Sequence, residues 1–557
     1  MVGEEVVEAE PSKPTTAHPM RNFLIIAIAL LAVKLLLVSR REIVSEDLDA
    51  FEYTRASLDL RSIFAGGASH PPGASLVIAL ARSLGIPYRV FIEIFLAVAA
   101  FLFFRPLVVS MRLGIAAITF SFGLLLFHPA LILGLDRVMS DSVSFFCWLA
   151  GAGGIIGFVA ASRGKLPWGS LGLTIVSFAF AGITRSAEGT VVFVEMVAVA
   201  LLSIPLFRGV DSWRRRRAIV ACVCAVAANF TAAQALSAWH FVHAGYWGAT
   251  AVESREWWQL YSILLSLPVE HNHRHALIDK TTMDIAESFS EDLHNMSACF
   301  EQLAAHHPNE EPQNDIAAWE ITICLPEDNT LKDYAKLRTI SSDIIKGAQA
   351  AHLQLIPPIL GVIPRSGAQW LSDLPASIIK LAVEAVRVPG STEVTQISWE
   401  EELFNRALLR RAALVATGQN PEVFAYQSFT RKLYTALSWL FWPSVPLVFL
   451  AIASSIIRSR VTKSNLITFV LSIMVIDVLC RISFYSIVDW ILWDIQLRYI
   501  LGASVLTVVV VSALCTMWLA PTIGAGVRPM LMKLPWLGPK SRIAGIPPVQ
   551  PDLKRPY

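Results

Sequence analysis

Charged residues are scarce in this sequence. They make up 16% of its 557 residues, whereas about a quarter of a typical soluble domain is charged. The 46 basic and 44 acidic residues nearly cancel, so the charge balance indicates no nucleic-acid partner. The seven cysteines are too few for a disulfide framework in a chain of this length. These shortages exclude a cytosolic enzyme and a secreted disulfide scaffold.

Long apolar runs are abundant instead. Hydrophobic residues make up 54% of the chain, and its mean hydropathy is +0.54. A membrane-spanning helix needs about 20 mostly apolar residues, and the runs at 23–38 and 499–520 are of this kind. We therefore predict an all-α polytopic membrane protein with about ten transmembrane helices. The predicted spans are 22–39, 89–110, 113–131, 142–161, 168–184, 188–206, 217–240, 433–456, 464–486 and 498–520.

The distribution of basic residues predicts which side of the membrane each loop faces. Cytoplasmic loops are enriched in lysine and arginine. The basic connectors, including Arg214–Arg217, all fall on one side if 71–84 forms only a short re-entrant or juxtamembrane helix. Both termini are then cytoplasmic. Arg40 and Arg41 are exceptions, because this topology places them on the outer side.

A long insert separates two transmembrane blocks. It covers 241–431, about 190 residues, and is far longer than an ordinary connection. Its helix-like stretches predict a small helical extracytoplasmic domain. It contains Cys299 and Cys324, which are either free or disulfide-bonded, and an oxidising compartment would favour the disulfide. The predicted parts are a cytoplasmic tail (1–22), an N-terminal transmembrane block (23–240) with its first outer loop at 40–88, the insert (241–431), a C-terminal transmembrane block (432–520) and a second cytoplasmic tail (521–557).

Acidic residues near the spans lie almost entirely on the outer side. Charges at membrane borders are costly, so this distribution indicates a polar site on the outer face. Acids that merely avoid the inner leaflet would show the same pattern. In the acid-rich first loop, Asp49 and Tyr53 are four residues apart and share a helix face. An acid cluster there can deprotonate an alcohol or an amine, or bind a divalent cation through oxygen. The outer acids are Asp47, Asp49, Glu52, Asp136, Asp141, Glu188, Asp489 and Asp494.

Four short pieces of sequence carry a resemblance to a known family. The first is a D-x-x-x-Y setting (49–53) followed by HPPG (70–73) and a short apolar helix. The others are LDRVMSD (135–141), GITRSAEG (182–189) and LRYILGA (497–503). As an ordered set they resemble the GT-C glycosyltransferases, which include protein O-mannosyltransferases and aminoarabinose transferases. The third piece has an extra residue where the family often has proline, and Gly502 replaces another proline.

The resemblance covers 23–206 and 433–520 and implies a GT-C-like bundle and a polyprenyl-phosphate-linked sugar donor. It implies Asp49 as the base that deprotonates the acceptor hydroxyl, with Asp47 next. The supporting acids would be Asp141, Asp136 and Glu188. A divalent cation, Mg²⁺ or Mn²⁺, would be held by Asp49 and Asp141 if one is used. The alternative role of these acids is surface charge or helix capping, with Asp141 as the cap of the helix that follows it.

The resemblance also implies groups that bind the donor phosphate. Arg185 and Arg498 each lie at the outer end of a span, and arginine binds phosphate oxygens bidentately. Snorkelling to lipid headgroups is their alternative role. Arg40 and Arg41, close to the acidic loop, are further candidates. Candidate contacts to donor or acceptor are Tyr53, Tyr499 and His70, and closing a turn is the alternative role of His70.

The predicted function is therefore an inverting glycosyltransferase, integral to the bacterial inner membrane and surrounded by its lipids, with a periplasmic active site and a lipid, glycan or protein acceptor. One alternative is a glycan ligase or polymerase with a pyrophosphate-linked donor, for which the histidine-rich segment 271–275 would be essential. The other is a non-enzymatic lipid or sugar transporter, which would need ionisable residues near mid-membrane. Only Lys34 and Asp477 come close to that position in the predicted spans, which favours an enzyme.

Overall fold

The computed structural model describes residues 17–38, 48–58, 70–110, 115–128, 131, 135, 138–164, 166–185, 187–208, 212–250, 253–268, 277–278, 280–305, 316–317, 321, 324, 327–328, 331–332, 335–355 and 465–491. These residues are mainly helical, which confirms the predicted fold class.

The apolar segments form long helices, and the insert forms shorter ones. The first block contains α1 (Ala17–Val38), α2 (Leu48–Leu58), α3 (Gly73–Ser83), α4 (Tyr88–Val109), α5 (Ile115–Leu126), α6 (Ser140–Ala160), α7 (Trp168–Gly182), α8 (Ala187–Leu206) and α9 (Ser212–Ala244). The insert contains α10 (Arg255–Ser266), β1 (Leu277–Ile278), α11 (Lys280–Phe289), α12 (Glu291–His294), α13 (Ser297–Ala305), β2 (Ile316–Ala317), β3 (Glu327–Asp328), β4 (Leu331–Lys332) and α14 (Ala335–Ala350), and the second block contributes α15 (Asn465–Ile491).

Six of the described helices are long and apolar enough to cross a membrane, namely α1, α4, α6, α8, α9 and α15. The bounds of α4, α6 and α8 agree with the predicted spans to within two residues. Helix α1 begins five residues before the predicted 22–39, α15 ends five residues after the predicted 464–486, and α9 extends beyond the predicted 217–240 at both ends. The segment predicted as a short helix at 71–84 forms α3, whose 11 residues are too few to span a bilayer. The predicted spans 433–456 and 498–520 lie outside the described residues.

Helix α6 occupies the centre of the bundle. It packs against α3, α4, α7, α9 and α15, and 94% of its most apolar stretch is buried. Small residues make this packing possible. A Cβ atom on Gly153 would lie 2.6 Å from the carbonyl oxygen of Leu102 in α4, and one on Gly154 would lie 2.7 Å from that of Ser170 in α7. The glycines therefore let two neighbouring backbones approach α6 closely, as small residues do between membrane helices.

Buried ion pairs connect α1 to α4. The Nζ atom of Lys34 lies 2.7 Å from a carboxylate oxygen of Glu93, and the other oxygen of Glu93 accepts a hydrogen bond of 2.8 Å from Arg89. All three side chains are fully buried. Since the removal of one partner would leave a buried charge uncompensated, these pairs fix the position of α1 against α4.

The insert has a hydrophobic core of its own. Its centre is α10, which packs against α11 and α14. The strands form two short antiparallel pairs, β1 with β2 and β3 with β4. Cys299 and Cys324 are joined by a disulfide, so the pairing that the sequence left open is present. Arg338 on α14 also bonds to Glu256 on α10.

Candidate functional site

One end of the bundle brings together residues that are far apart in the sequence. Helix α2 packs against α3, and α3 packs against α4 and α6. The same end contains the beginning of α6, the turn between α7 and α8, and the C-terminal half of α15. Three of the four pieces that carry the family resemblance lie there in part.

Tyr53 connects the first outer loop to the beginning of α6. Its hydroxyl donates a hydrogen bond of 2.9 Å to the Oγ atom of Ser140, and its ring lies 4.8 Å from the ring of His70. Tyr53 is buried, and Ser140 directly precedes Asp141. This places the D-x-x-x-Y helix, the histidine of HPPG and Asp141 in one neighbourhood.

Gly73 connects HPPG to the turn that contains Arg185. Its backbone N–H donates a hydrogen bond of 2.8 Å to the carbonyl oxygen of Ile183. A Cβ atom at Gly73 would lie only 2.6 Å from the Cα atom of Thr184, so the close approach of α3 to this turn requires glycine. The glycine that the motif places at the start of α3 therefore has a physical role in assembling the site.

Asp141 and Arg185 form an ion pair at the centre of this end. The two side chains are only 10% and 11% exposed. The Arg185 guanidinium also lies over the ring of Tyr485, with its carbon 5.5 Å from the ring centroid. Asp141 is in the first turn of α6, where the helix dipole favours a negative charge, while the capping position belongs to Met139. Met139 thus holds the capping position and Arg185 pairs with Asp141, while the functional roles of Asp141 and Arg185 stay predictions.

The structure describes only part of the other predicted site residues. Asp49 lies one turn before Tyr53 on α2, and Glu188 lies in the first turn of α8, but their side chains are not among those described. Outside the described residues lie Asp47, Asp136, Arg40, Arg41, Arg498, Tyr499 and the histidine-rich segment 271–275. The roles of all these residues stay predictions.

The sequence analysis missed Ser140, Thr184 and Tyr485 at this site. Ser140 and Thr184 each stand next to a predicted site residue, so their positions alone could have suggested them. Tyr485 is different, because it lies in an ordinary apolar helix of the second block. Only the packing of α15 against the first block shows it.

Charged residues are also buried deeper in the bundle. The indole N–H of Trp148 donates to both carboxylate oxygens of Glu195, at 3.0 and 2.9 Å. Asp477 accepts a hydrogen bond of 2.9 Å from Arg481 one turn further along α15. Trp148 and Glu195 each lie about two helical turns, roughly 12 Å, from the first residues of α6 and α8.

The expectation that only Lys34 and Asp477 approach mid-membrane is wrong. Glu195 is fully buried near the middle of α8. Glu93 and Arg481 are buried within α4 and α15, whereas Arg89 is buried at the beginning of α4. The reason is that the mean hydropathy of these spans stays high in spite of a few charged residues, so a search for apolar runs does not single the charges out.

A divalent cation held by Asp49 and Asp141 stays a prediction, because the Asp49 side chain is not one of the described side chains. Among them, no group of three histidine, cysteine, aspartate or glutamate residues lies close enough together to hold a metal ion. The Asp141 carboxylate is already neutralised by Arg185, which a metal would have to displace.

The sequence matches no protein-family model and no curated protein. Similar solved structures include two crystal structures of ArnT from Cupriavidus metallidurans, one bound to undecaprenyl phosphate and one in the apo state. The first is 13% identical with a TM-score of 0.30 and covers 94% of this chain and 81% of ArnT. The second is 14% identical with a TM-score of 0.30 and covers 93% of this chain and 80% of ArnT. At this TM-score the likeness does not by itself assign a function.

Proposed function

We propose that this protein is a membrane glycosyltransferase that moves a sugar from a polyprenyl-phosphate donor to an extracytoplasmic acceptor. One observation supports it above all others. The helix that carries Asp49, the HPPG segment, Asp141 and Arg185 meet at one end of the bundle, although the sequence separates them widely. A site assembled from such distant pieces provides an acid and a cation at the same membrane border.

Each part of the site has a role in the proposed reaction. Asp49, or Asp47 beside it, accepts the proton of the acceptor hydroxyl as the acceptor oxygen bonds to the anomeric carbon. The bond from that carbon to the phosphate oxygen breaks, and the polyprenyl phosphate leaves with the electron pair. Arg185 stabilises the charge that develops on the phosphate, because its guanidinium is held in place by Asp141 and Tyr485. Attack from the face opposite the phosphate inverts the anomeric carbon.

The proposed site lies on the extracytoplasmic side of a bacterial inner membrane. The positive-inside rule places the Arg214–Arg217 run at the cytoplasmic end of α9, and therefore the start of the insert at the other end. The disulfide between Cys299 and Cys324 supports this topology, since disulfides persist in oxidising compartments such as the periplasm.

The test is a glycan profile of cells that express wild type or Asp49→Asn, which keeps the shape of the side chain and removes its charge. We expect the modification to disappear while the variant still inserts into the membrane. Glu301→Gln, which removes an exposed charge from the insert, is the matched control and should keep wild-type activity. Unchanged activity of Asp49→Asn, together with loss of activity in His273→Ala, would favour the glycan ligase instead.

The buried charges favour one second candidate, a lipid or sugar transporter. Ionisable residues inside membrane spans often mark a transport pathway. Reconstituted vesicles separate the two functions when both the consumption and the movement of a lipid-linked sugar are measured. A transporter would move the lipid without consuming it and would depend on Glu195 rather than Asp49. A transferase would consume the donor only when an acceptor is present.

A further inference from the structure

Helix α9 is longer than a bilayer requires. Arg214 and Arg217, near its first residue, lie over the ring of Trp213 at 4.9 and 4.6 Å. From Arg217 to Trp239 the helix rises about 33 Å, which matches a hydrocarbon core of about 30 Å. Between these ends, its exposed apolar residues include Val223 and Phe230. The helix thus marks both borders of the membrane.

Exposed aromatic side chains cluster just beyond this length. Trp239, Phe241 and Trp247 are 47%, 55% and 49% exposed, and Val242 beside them is exposed as well. The rings of Phe241 and Trp247 lie 6.1 Å apart. We call these four residues the border cluster. It continues the exposed apolar face of α9, and tryptophan is enriched at membrane–water interfaces.

The loop after α9 connects the border cluster rigidly to the insert. Tyr246 is fully buried in the core of the insert, whereas its neighbour Trp247 is half exposed. His240 lies 2.8 Å from the carbonyl oxygen of Gly248 and 3.3 Å from the hydroxyl of Tyr246 through its Nδ1 atom. A positive φ of 77° at Gly245 makes the reversal at the end of the helix possible. The core of the insert therefore begins one residue away from an exposed tryptophan that is held in place.

We propose that the border cluster binds the headgroup and glycerol region of the bilayer and so holds the insert at the membrane surface. The occupant is phospholipid, because the cluster continues a lipid-facing helix face and lies one bilayer thickness from the arginine run. These four exposed apolar side chains lose contact with water when the headgroup region covers them. The inference stands on these contacts and does not depend on the proposed reaction.

Tryptophan quenching tests this placement in the full chain. Wild type, Trp247→Phe and Trp257→Phe are reconstituted into phosphatidylethanolamine–phosphatidylglycerol vesicles whose acyl chains carry bromine either near the glycerol or near the chain end. Trp247→Phe should lose a quenchable signal, and the loss should be larger with bromine near the glycerol. Trp257, which is buried in the core of the insert, is the matched control and should show no loss.

Photo-crosslinking provides a second, independent measurement. p-Benzoylphenylalanine in place of Trp247 should form an adduct with phospholipid, as should the same group in place of Phe230 on the lipid-facing part of α9. The same group in place of Gln349, an exposed residue of the insert, should form none. Equal quenching of Trp247→Phe and Trp257→Phe, or a crosslink from position 247 to a second protein chain, would overturn the proposal.

Discussion

Arg185 lies between a carboxylate and an aromatic ring that come from distant parts of the chain. Asp141 begins α6, and Tyr485 belongs to α15, which follows the insert. Side chains from both transmembrane blocks therefore orient the guanidinium. An oriented arginine loses less conformational entropy when it binds phosphate than a mobile one does.

The ring of Tyr485 should matter for donor binding, and its hydroxyl should matter less. A cation–π contact contributes about 0.5–2 kcal/mol, so Tyr485→Leu should weaken the binding of polyprenyl phosphate by roughly 2- to 30-fold. Tyr485→Phe keeps the ring and should bind nearly as well as wild type. Direct titration of the purified variants with polyprenyl phosphate measures both affinities, and equal weakening in the two variants would contradict a role for the ring.

Variants of the Asp141–Arg185 pair should distinguish a structural role of Arg185 from a role in transfer. Arg185→Ala leaves a largely buried carboxylate without its cation. Such a change lowers the free energy of unfolding by about 3–5 kcal/mol when the pair is fully buried, and we expect a smaller loss for this partly exposed pair. Asp141→Ala/Arg185→Ala removes both charges and should recover much of the lost thermal stability. Glycan transfer should stay absent in the double variant, because no cation then faces the phosphate. Recovery of transfer along with Tm would show that Arg185 is only structural.

Small residues determine how helix α6 packs against its neighbours. Gly153 and Gly154 meet α4 and α7 where any side chain would overlap backbone atoms. Asp141 is at the beginning of the same helix, so the position of α6 determines where this acid lies. A substitution that shifts α6 against α4 or α7 should therefore also displace Asp141.

Gly153→Ala and Gly172→Ala provide a matched comparison. A Cβ atom at Gly153 would lie 2.7 Å from the Cα atom of Phe103, whereas a Cβ atom at Gly172 would have no atom within 4 Å. We expect Gly153→Ala to destabilise the protein by about 1–3 kcal/mol, since such overpacking moves backbone. Gly172→Ala should be neutral or slightly stabilising, because alanine favours helix. Tm values in detergent measure the difference, and equal values would contradict the observed helix contact.

The disulfide of the insert should stabilise one part of the whole molecule without affecting the other. Its cysteines are separated by 25 residues, a loop for which the entropic model predicts a stabilisation of about 3 kcal/mol. Cys299→Ser/Cys324→Ser should therefore make the insert more sensitive to protease, whereas the transmembrane helices should keep their resistance. Limited proteolysis of vesicles with and without reductant checks this. A wild-type insert that alkylating reagents label fully without reductant would contradict the disulfide.

The sequence predicted those properties that depend on composition and local order. Apolar runs located α1, α4 and α15, because a span needs about 20 mostly apolar residues. The double proline before Gly73 and the short apolar run after it indicated a helix too short to cross. The family resemblance implied Asp141 and Arg185 as site residues, and both lie at a predicted membrane border, where charges are costly.

Only the tertiary structure decided which residues meet. Nothing in the sequence connects Arg185 to Tyr485 or Tyr53 to Ser140, because such contacts depend on how helices pack across hundreds of residues. The burial of Glu195 and Arg481 could not be predicted either. An apolar run shows neither the direction in which a charged side chain points nor the partner that neutralises it. The apolar pattern determines that a helix spans the membrane, and the packing of its neighbours determines which of its polar groups form a site.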